Sequence, residues 1–554
     1  MFKSNNRKIL ISASLIIAGM MGGCTDKFEE INTSIMPEYT SDKAIIFDGE
    51  HYDEDINKMI SPFIFEGPYA DYQRATNLFH DIYAHYFAHN KADFSGSSPN
   101  YVYNEGWIGK RWEHFYYERV KEYRTLLKYM KAAPVWNAKA KAVADINFSF
   151  LTSMMVDTYG YIPYKYVFDT DISDNKTLKY NSEKEVYTDL FLKLKTASQV
   201  LSKSSETEYF QIDATSDNFY QGDYDKWRKF ANTLRLRLAL RISNVDPQMA
   251  KKEGESAIRD GVFASNADNL ATHSQTQENI YYLCSHAWLD AVMTKDLEVA
   301  YKTWSNDLDP RCPVLWYKTG PEDALRHGVE IGQKPGTTFG QYMGHKIGQI
   351  DGIKHSTENA SILKADARKD PKGWFSIHQE AVWMGYAESC FLMSEASLRG
   401  WSGAASSPKQ FYKMGVEASM NYYGVAEEQS AKYISELHDV ADGIFESGDK
   451  EKVLEAIQKQ KWLAVFPNGN EGWAEFRRTG YPRLLNNENN MSATVKQGLF
   501  IKRIRYTVEQ HDYNAANIPS AVYGPDDRMD VRIWWDVDNS NDDSGKPKPQ
   551  NNFR

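Results

Sequence analysis

Long segments in which apolar residues recur every three to four positions run through the middle of this chain, and they confine it to helical architectures. In KWRKFANTLRLRLALRI, Trp227, Phe230, Leu234, Leu238 and Ile242 share one helical face, with Arg235, Arg237 and Arg241 mostly off it. In AVWMGYAESCFLMSEASLRG, a second stripe runs through Trp383, Tyr386, Ala387, Cys390, Phe391, Ser394 and Leu398, and Gly400 supplies the stop. INFSFLTSMMVDTYG repeats the pattern with Ile146, Phe150, Met154 and Met155 before Gly160. In YNSEKEVYTDLFLKLKTASQVL, Ser182 is followed three positions later by Glu185, the spacing of a capping box. The segments come in neighbouring pairs. Small residues such as Ala387, Ala396, Gly415 and Ala418 resemble those of helical-repeat packing. No repeat of about 34 residues is visible.

Two kinds of segment break the pattern. Residues 318–360 carry glycine at every fourth position from 328 to 352, but the stretch is polar and contains Pro335. Each glycine costs a helix about 1 kcal/mol, so a long glycine-rich surface loop is expected there. The ends are polar: residues 24–44 read as a flexible tether and residues 539–554, NSNDDSGKPKPQNNFR, as a disordered tail. No Pro/Ser-rich linker divides residues 45–538, which predicts a single domain.

The first 23 residues have the layout of an export signal. Lys3, Arg7 and Lys8 precede an apolar or small run of only 15 residues, Ile9 to Gly23, short of the roughly 20 that a membrane span needs. Met21-Gly22-Gly23 before Cys24 fits cleavage by a lipoprotein route, in which the Cys24 thiol is acylated and becomes the new N-terminus. Acyl chains bury about 0.8 kcal/mol per methylene, enough in combination to anchor a soluble body. Net charge is −10, and losing the three cations of residues 1–23 leaves −13, which argues against nucleic acid as a partner. Of the other cysteines, Cys284 and Cys312 are available for pairing in an oxidising compartment, and Cys390 sits on an apolar face as a buried thiol.

Catalytic signatures are missing: there is no G-x-S-x-G, H-E-x-x-H, P-loop or G-x-G-x-x-G. His85 and His89 have a one-turn spacing beside His80, but no third metal ligand is evident. The acidic stretch 536–546 lacks the glycine and terminal acid of an EF-hand. No cofactor is expected, with a structural calcium left open. The chain is instead rich in flat rings that carry a polar edge, 14 Trp and 35 Tyr, suited to stacking on sugars or peptide side chains. Those in polar loop surroundings are the binding candidates: Tyr101, Tyr103 and Trp107 after SGSSPN, Tyr281, Tyr282 and Trp288 after NADNLATHSQTQ, and Trp304 and Trp316 flanking LDPRC.

Several motifs, in order along the chain, resemble the SusD/RagB family of nutrient-binding outer-membrane lipoproteins: CTDKFEEINT at 24–33, DTYGYIPY at 157–164, YQGDYDKWRKFANTLRLRLALRI at 220–242, NDLDPR at 306–311, YAESCFLMSEASLRG at 386–400, QKWLAVFPNGNEGWAEFRRTGYP at 460–482 and GPDDRMDVRIWWD at 524–536. Thr507 in RYTVEQHDYN stands where the family often has proline. The resemblance implies a mainly α fold, with four tetratricopeptide-like helix pairs and a loop-rich ligand lobe. It implies a non-enzymatic lid on a SusC-like TonB-dependent channel, lipid-anchored through Cys24 (palmitate among its acyl groups) and facing the cell exterior. The captured nutrient would be an oligosaccharide or, as the alternative, an oligopeptide; a surface glycosidase is the less favoured reading. Asp26, Glu29 and Glu30 resemble the family's surface-export signal.

Cys24→Ala should abolish incorporation of labelled fatty acid and move the protein from the detergent to the aqueous phase on phase separation.

Overall fold

The computed structural model describes residues 72–131, 137–168, 178–203, 211–212, 214, 217–273, 281–326, 329–330, 332–350, 356–365, 380–537 and 552–553. The signal segment, the 24–44 tether, Cys24 and residues 538–551 lie outside them.

Among the described residues, twelve helices of nine residues or more carry the body: α1 (Gln73–Asp81), α2 (Val120–Lys131), α3 (Ala138–Tyr159), α4 (Glu183–Leu201), α5 (Tyr224–Arg241), α6 (Pro247–Asp260), α7 (Lys295–Thr303), α8 (Tyr386–Leu398), α9 (Pro408–Tyr422), α10 (Glu427–Glu436), α11 (Lys450–Val465) and α12 (Gly469–Thr479). The described strands are short: β1 (Phe87–Ala88) pairs antiparallel with β3 (Val292–Met293), and β2 (Leu270–His273) with β4 (Glu380–Met384). Helices adjacent in sequence pack together, α3 on α4, α5 on α6 and α8 on α9, while α4–α5 and α8–α11 contacts join the pairs. Sequence signals set the helix ends. Ser182 and Glu185 form the expected reciprocal capping box at the start of α4. Gly160 ends α3 at φ +81°, where an added Cβ would lie 1.9 Å from the Tyr523 hydroxyl, so both conformation and space require glycine.

The arginines of α5 depart from the amphipathic expectation. Every residue from Phe230 to Arg241 is buried, because neighbours surround the helix. A fully surrounded helix needs a buried partner for each charge. Arg235 reaches Glu253 and Asp260 of α6 at 3.2 and 3.0 Å. Arg237 grips Glu388 of α8 with two hydrogen bonds of 2.7 and 2.6 Å. Arg241 bonds Glu471 (2.5 Å) and Glu475 of α12.

These pairs continue into one buried network. Lys461 of α11 contacts Glu471 at 2.7 Å and Glu475 at 3.1 Å. Arg478 bridges Glu475 and Glu395 at 2.6 and 2.7 Å, and Arg399 closes on Glu395 at 2.8 Å. With Asp157 at 3.4 Å from Arg241, five cations (Arg237, Arg241, Arg399, Lys461, Arg478) face five carboxylates (Asp157, Glu388, Glu395, Glu471, Glu475). Burial pushes the Glu471 carboxyl up, but Arg241, Lys461 and Arg237 outweigh it and hold the group down at about 2. Glu475 and Glu395 are lowered in the same way, against burial, by Arg478 above all.

Four expectations change. Trp383 sits on β4 rather than α8, which starts at Tyr386, because residues 380–384 pair with β2. The glycine loop has its longest exposed run, among the described residues, at 332–338, with Val329, Glu330, Lys346, Gln349 and Glu358 also exposed. Its later part packs on the body: Gly344 passes so close to Thr294 that a Cβ would lie 1.9 Å from the Thr294 carbonyl oxygen, and His345 bridges Thr294. Gly328 and Gly352 lie outside the described residues. The disorder expected over 539–554 does not extend to Asn552 and Phe553, which dock on the helices. Cys284, Cys312 and Cys390 are buried free thiols, so no 284–312 bridge forms, and burial pushes Cys390 up to about 12.

Glu471→Gln leaves Arg241 and Lys461 undercompensated and should cost about 3–5 kcal/mol in denaturant unfolding. Glu395, Glu471 and Glu475 are depressed below the roughly 4.3 of an unfolded glutamate. Their stabilisation is therefore complete above about pH 4.5 and is lost as pH falls toward 2. Unfolding free energy measured from pH 7 to 3 should drop in that window, less steeply in Glu471→Gln.

Candidate functional site

The residues following the short helix Tyr282–Ala287 build an exposed platform. The Cys284 carbonyl accepts the amides of Asp290 (2.8 Å) and Ala291 (2.9 Å), which closes a tight turn. Leu289 takes a left-handed φ of 55° inside it and roots its side chain in the core at 2% exposure. Trp288, one residue earlier, is 36% exposed. An inward leucine in a strained backbone thus fixes the outward indole, a conformation that persists only when the surroundings enforce it.

A neighbouring loop supplies that enforcement. Lys91 donates to the Trp288 carbonyl (2.5 Å) and to Asp290 Oδ1 (2.8 Å), and Gln73 Nε2 donates to Asp290 Oδ2 (3.0 Å). Burial raises the Asp290 carboxyl, and Lys91 and Gln73 partly offset the rise. The loop from Lys91 then runs to a second ring group. Phe94 packs on the half-buried Trp107, ring centres 5.7 Å apart. Tyr103, also half-buried, donates to Glu105 Oε2 at 2.6 Å, and the Arg505 guanidinium lies 5.5 Å from its ring centre. Glu105 also accepts the Val508 amide at 3.1 Å, tying this corner to residues 505–509. Residues 91–107 therefore touch both the Trp288 turn and the Tyr103–Trp107 group. The arrangement offers flat apolar faces with ammonium, amide and carboxylate groups alongside, which can stack on and hydrogen-bond a polar ring compound.

Four of the remaining aromatic candidates, Tyr101, Tyr281, Trp304 and Trp316, do not join this surface. Tyr101 is 1% exposed and meets Tyr83 edge-on at 5.6 Å. Tyr281 is buried edge-on against Tyr72 at 5.4 Å. Trp316 is wholly buried between Phe87 (5.9 Å) and Phe466 (5.6 Å). Trp304 ends α7, packs on Trp462 of α11 at 6.1 Å, and has Lys459 over its ring, so it belongs to the helical body. The side chain of Tyr282 lies outside the described residues. Polar neighbours in sequence mislead here because loops fold back on the core. Lys91 and Arg505, which frame the two surface groups, carried no signal in the sequence, since each meets its aromatic partner only through the fold.

His80, His85 and His89 are individually engaged. His80 Nε2 meets Thr158 at 2.8 Å, His85 Nδ1 meets Asp296 at 2.7 Å and His89 Nε2 meets Asn77 at 3.0 Å. His85 has φ 58° and His89 follows β1, so the expected one-turn helical pair is not formed. Among the described residues no group of three His, Cys, Asp or Glu is placed to hold a metal ion.

Comparison with known proteins agrees with this architecture. Residues 30–536 match the family profile described as SusD-like, the SusD and RagB outer-membrane lipoproteins. A chitin-binding SusD homologue from Flavobacterium johnsoniae is similar at 27% identity, with 89% of this chain and 100% of that one covered and a TM-score of 0.74. A SusD homologue from Bacteroides uniformis shares 26% identity over 88% of this chain and 99% of that one, at a TM-score of 0.72. Another from Bacteroides vulgatus shares the fold at 23% identity and a TM-score of 0.75, covering 89% of this chain and 99% of that one. No curated protein sequence matches. No helix among the described residues is long and apolar enough to cross a membrane.

Trp316→Ala should cost about 3–5 kcal/mol of stability, as expected for a buried indole. Trp288→Ala should stay within about 1 kcal/mol of the parent. Chemical denaturation of the two variants separates the core residue from the platform residue.

Proposed function

This chain belongs to the SusD-like family of outer-membrane lipoproteins, and from that premise we propose that it captures an oligosaccharide at the cell surface and delivers it to a SusC-like TonB-dependent channel, as a lid anchored in the outer membrane through acylated Cys24. The observation that carries the glycan reading is Trp288, an indole held out by a turn whose next residue is rooted in the core. The apolar face of a pyranose stacks on such a ring, and its hydroxyls need polar partners at the edge. Lys91 and Asp290 are the polar side chains at the same turn, Lys91 bonding both the Trp288 carbonyl and Asp290. Two solved relatives at 27% and 26% identity are described as chitin-binding, which makes chito-oligosaccharides the first ligands to try. Tyr103 and Trp107 form the second contact group, with Arg505 beside Tyr103.

The role is binding without turnover and needs no cofactor. Two observations support this: His80, His85 and His89 each hold a hydrogen bond inside the fold, and the exposed rings serve contact rather than proton transfer. The acidic segment at 26–30 would direct the lipoprotein to the outer face, leaving residues 24–44 as the tether between membrane and body. An oligopeptide in the same place is the second reading, since the platform would also accept aromatic or proline side chains.

The mature body with Cys24 replaced is titrated by calorimetry against N-acetylglucosamine oligomers, other oligosaccharides and oligopeptides, and the mixtures are then analysed for shorter products. Saturable glycan binding without products is expected, with Trp288→Ala weakening it about tenfold, or about 1.4 kcal/mol. Release of shorter products would overturn the binding-only role, and binding of peptides alone would replace glycan by peptide. Affinity capture of the lipidated protein from solubilised membranes should bring a large outer-membrane β-barrel with it.

A further inference from the structure

The Asn552–Phe553 dipeptide sits against the helical body in a way that its polar surroundings in sequence do not suggest. Asn552 is 2% exposed, and each of its polar groups is used. Its backbone amide donates to Glu451 Oε2 at 3.0 Å, and its side-chain amide donates to Glu451 Oε1 at 2.7 Å and to the Thr479 carbonyl at 3.1 Å. Its side-chain oxygen accepts from Asn244 Nδ2 at 2.9 Å, and its carbonyl from Arg399 Nη1 at 3.3 Å. Phe553 has Arg399 4.9 Å and Lys450 5.8 Å from its ring centre. The partners come from four places: the α5–α6 connection, the end of α8, the first turn of α11 and the last turn of α12.

The chemistry is selective. Aspartate at the same place would set a carboxylate against Glu451 and against the Thr479 carbonyl, removing both side-chain donations. Alanine would leave Asn244 and one oxygen of Glu451 without this partner. The site also has a position in the larger structure. Arg399 is the outermost cation of the buried charge network, bonded inward to Glu395, and Asn552 covers it from outside.

We propose that the cleft formed by Asn244, Arg399, Lys450, Glu451 and Thr479 is a recognition slot for an Asn–aromatic dipeptide. Residues 552–553 of the same chain fill it and seal the outer end of the buried ion-pair network. Chain connectivity favours this occupant: only the 14 residues 538–551 separate it from the packed segment ending at Val537, so docking is intramolecular. The slot is independent of the glycan surface, and its occupancy is read without any glycan.

The test uses protein lacking residues 551–554 and the synthetic peptide Gln-Asn-Asn-Phe-Arg. The shortened protein should bind the peptide saturably, the full chain should not because its slot is filled, and a peptide with alanine for the second asparagine should fail with both. A folded shortened protein that does not bind the peptide overturns the proposal. Should the shortened protein not fold, full-length Asn552→Asp and Asn552→Ala decide. Both should melt several degrees lower and show about tenfold faster amide exchange at the start of α11, with the charge network now weakened by added salt. Unchanged melting and exchange in both variants overturns the proposal. A dimer of the full chain that dissociates on Asn552→Ala would put a second copy in the slot and overturn the intramolecular occupant.

Discussion

The ion pairs that α5 makes with four neighbouring helices hold the fold in register. Arg235 reaches α6, Arg237 reaches α8 and α12, and Arg241 reaches α12 and α3, so one helix determines how four others are placed around it. A charge inside a protein tolerates little displacement, because its desolvation is offset only by a partner at contact distance. The network through Lys461, Arg478 and Arg399 extends this constraint to α11 and to the end of α8. Hydrophobic contacts alone would hold these helices together with less positional specificity; the paired charges are satisfied in one arrangement.

The loop side of the molecule relies on that frame. The 460–482 segment supplies Lys461, Glu471, Glu475 and Arg478 to the network, and Trp462 and Gly469 of the same segment meet the region around α1. Trp462 Nε1 donates to the Ala84 carbonyl, and the Gly469 amide donates to Asp81. The chain following α1 then forms β1, pairs with β3, and places Lys91 against the Trp288 turn. A continuous physical path therefore leads from the buried charges to the exposed indole. The platform belongs to a rigid body rather than to a free loop, which reduces the ordering cost of binding a ring.

Much of the helical body was legible in the sequence. Apolar spacing located α3, α4, α5 and α8, and Ser182, Glu185, Gly160 and Gly400 marked ends that the structure confirms. The NDLDPR motif is a packed turn: Arg311 bonds Asp309 at 3.0 and 2.7 Å and also reaches Ser419 and Gln460. The candidate surface was less legible. Tyr101, Tyr281 and Trp316 share polar sequence neighbours with Trp288 yet lie in the core, because burial depends on where a loop returns and not on its composition. Likewise, the spacing of His85 and His89 carries meaning only on a helix, and the chain leaves the helix before His85.

The sequence by itself determined the helical class, several helix ends, the acylation candidate Cys24 and the family, since these depend on local periodicity, capping chemistry and short motifs in order. The tertiary structure alone decided that the arginines of α5 are inside, that Trp288 is the indole turned outward, and that Asn552 returns to the helical body 15 residues after Val537. Each of these joins residues far apart in the chain. Charge compensation and burial are properties of three-dimensional neighbours, which local spacing does not encode.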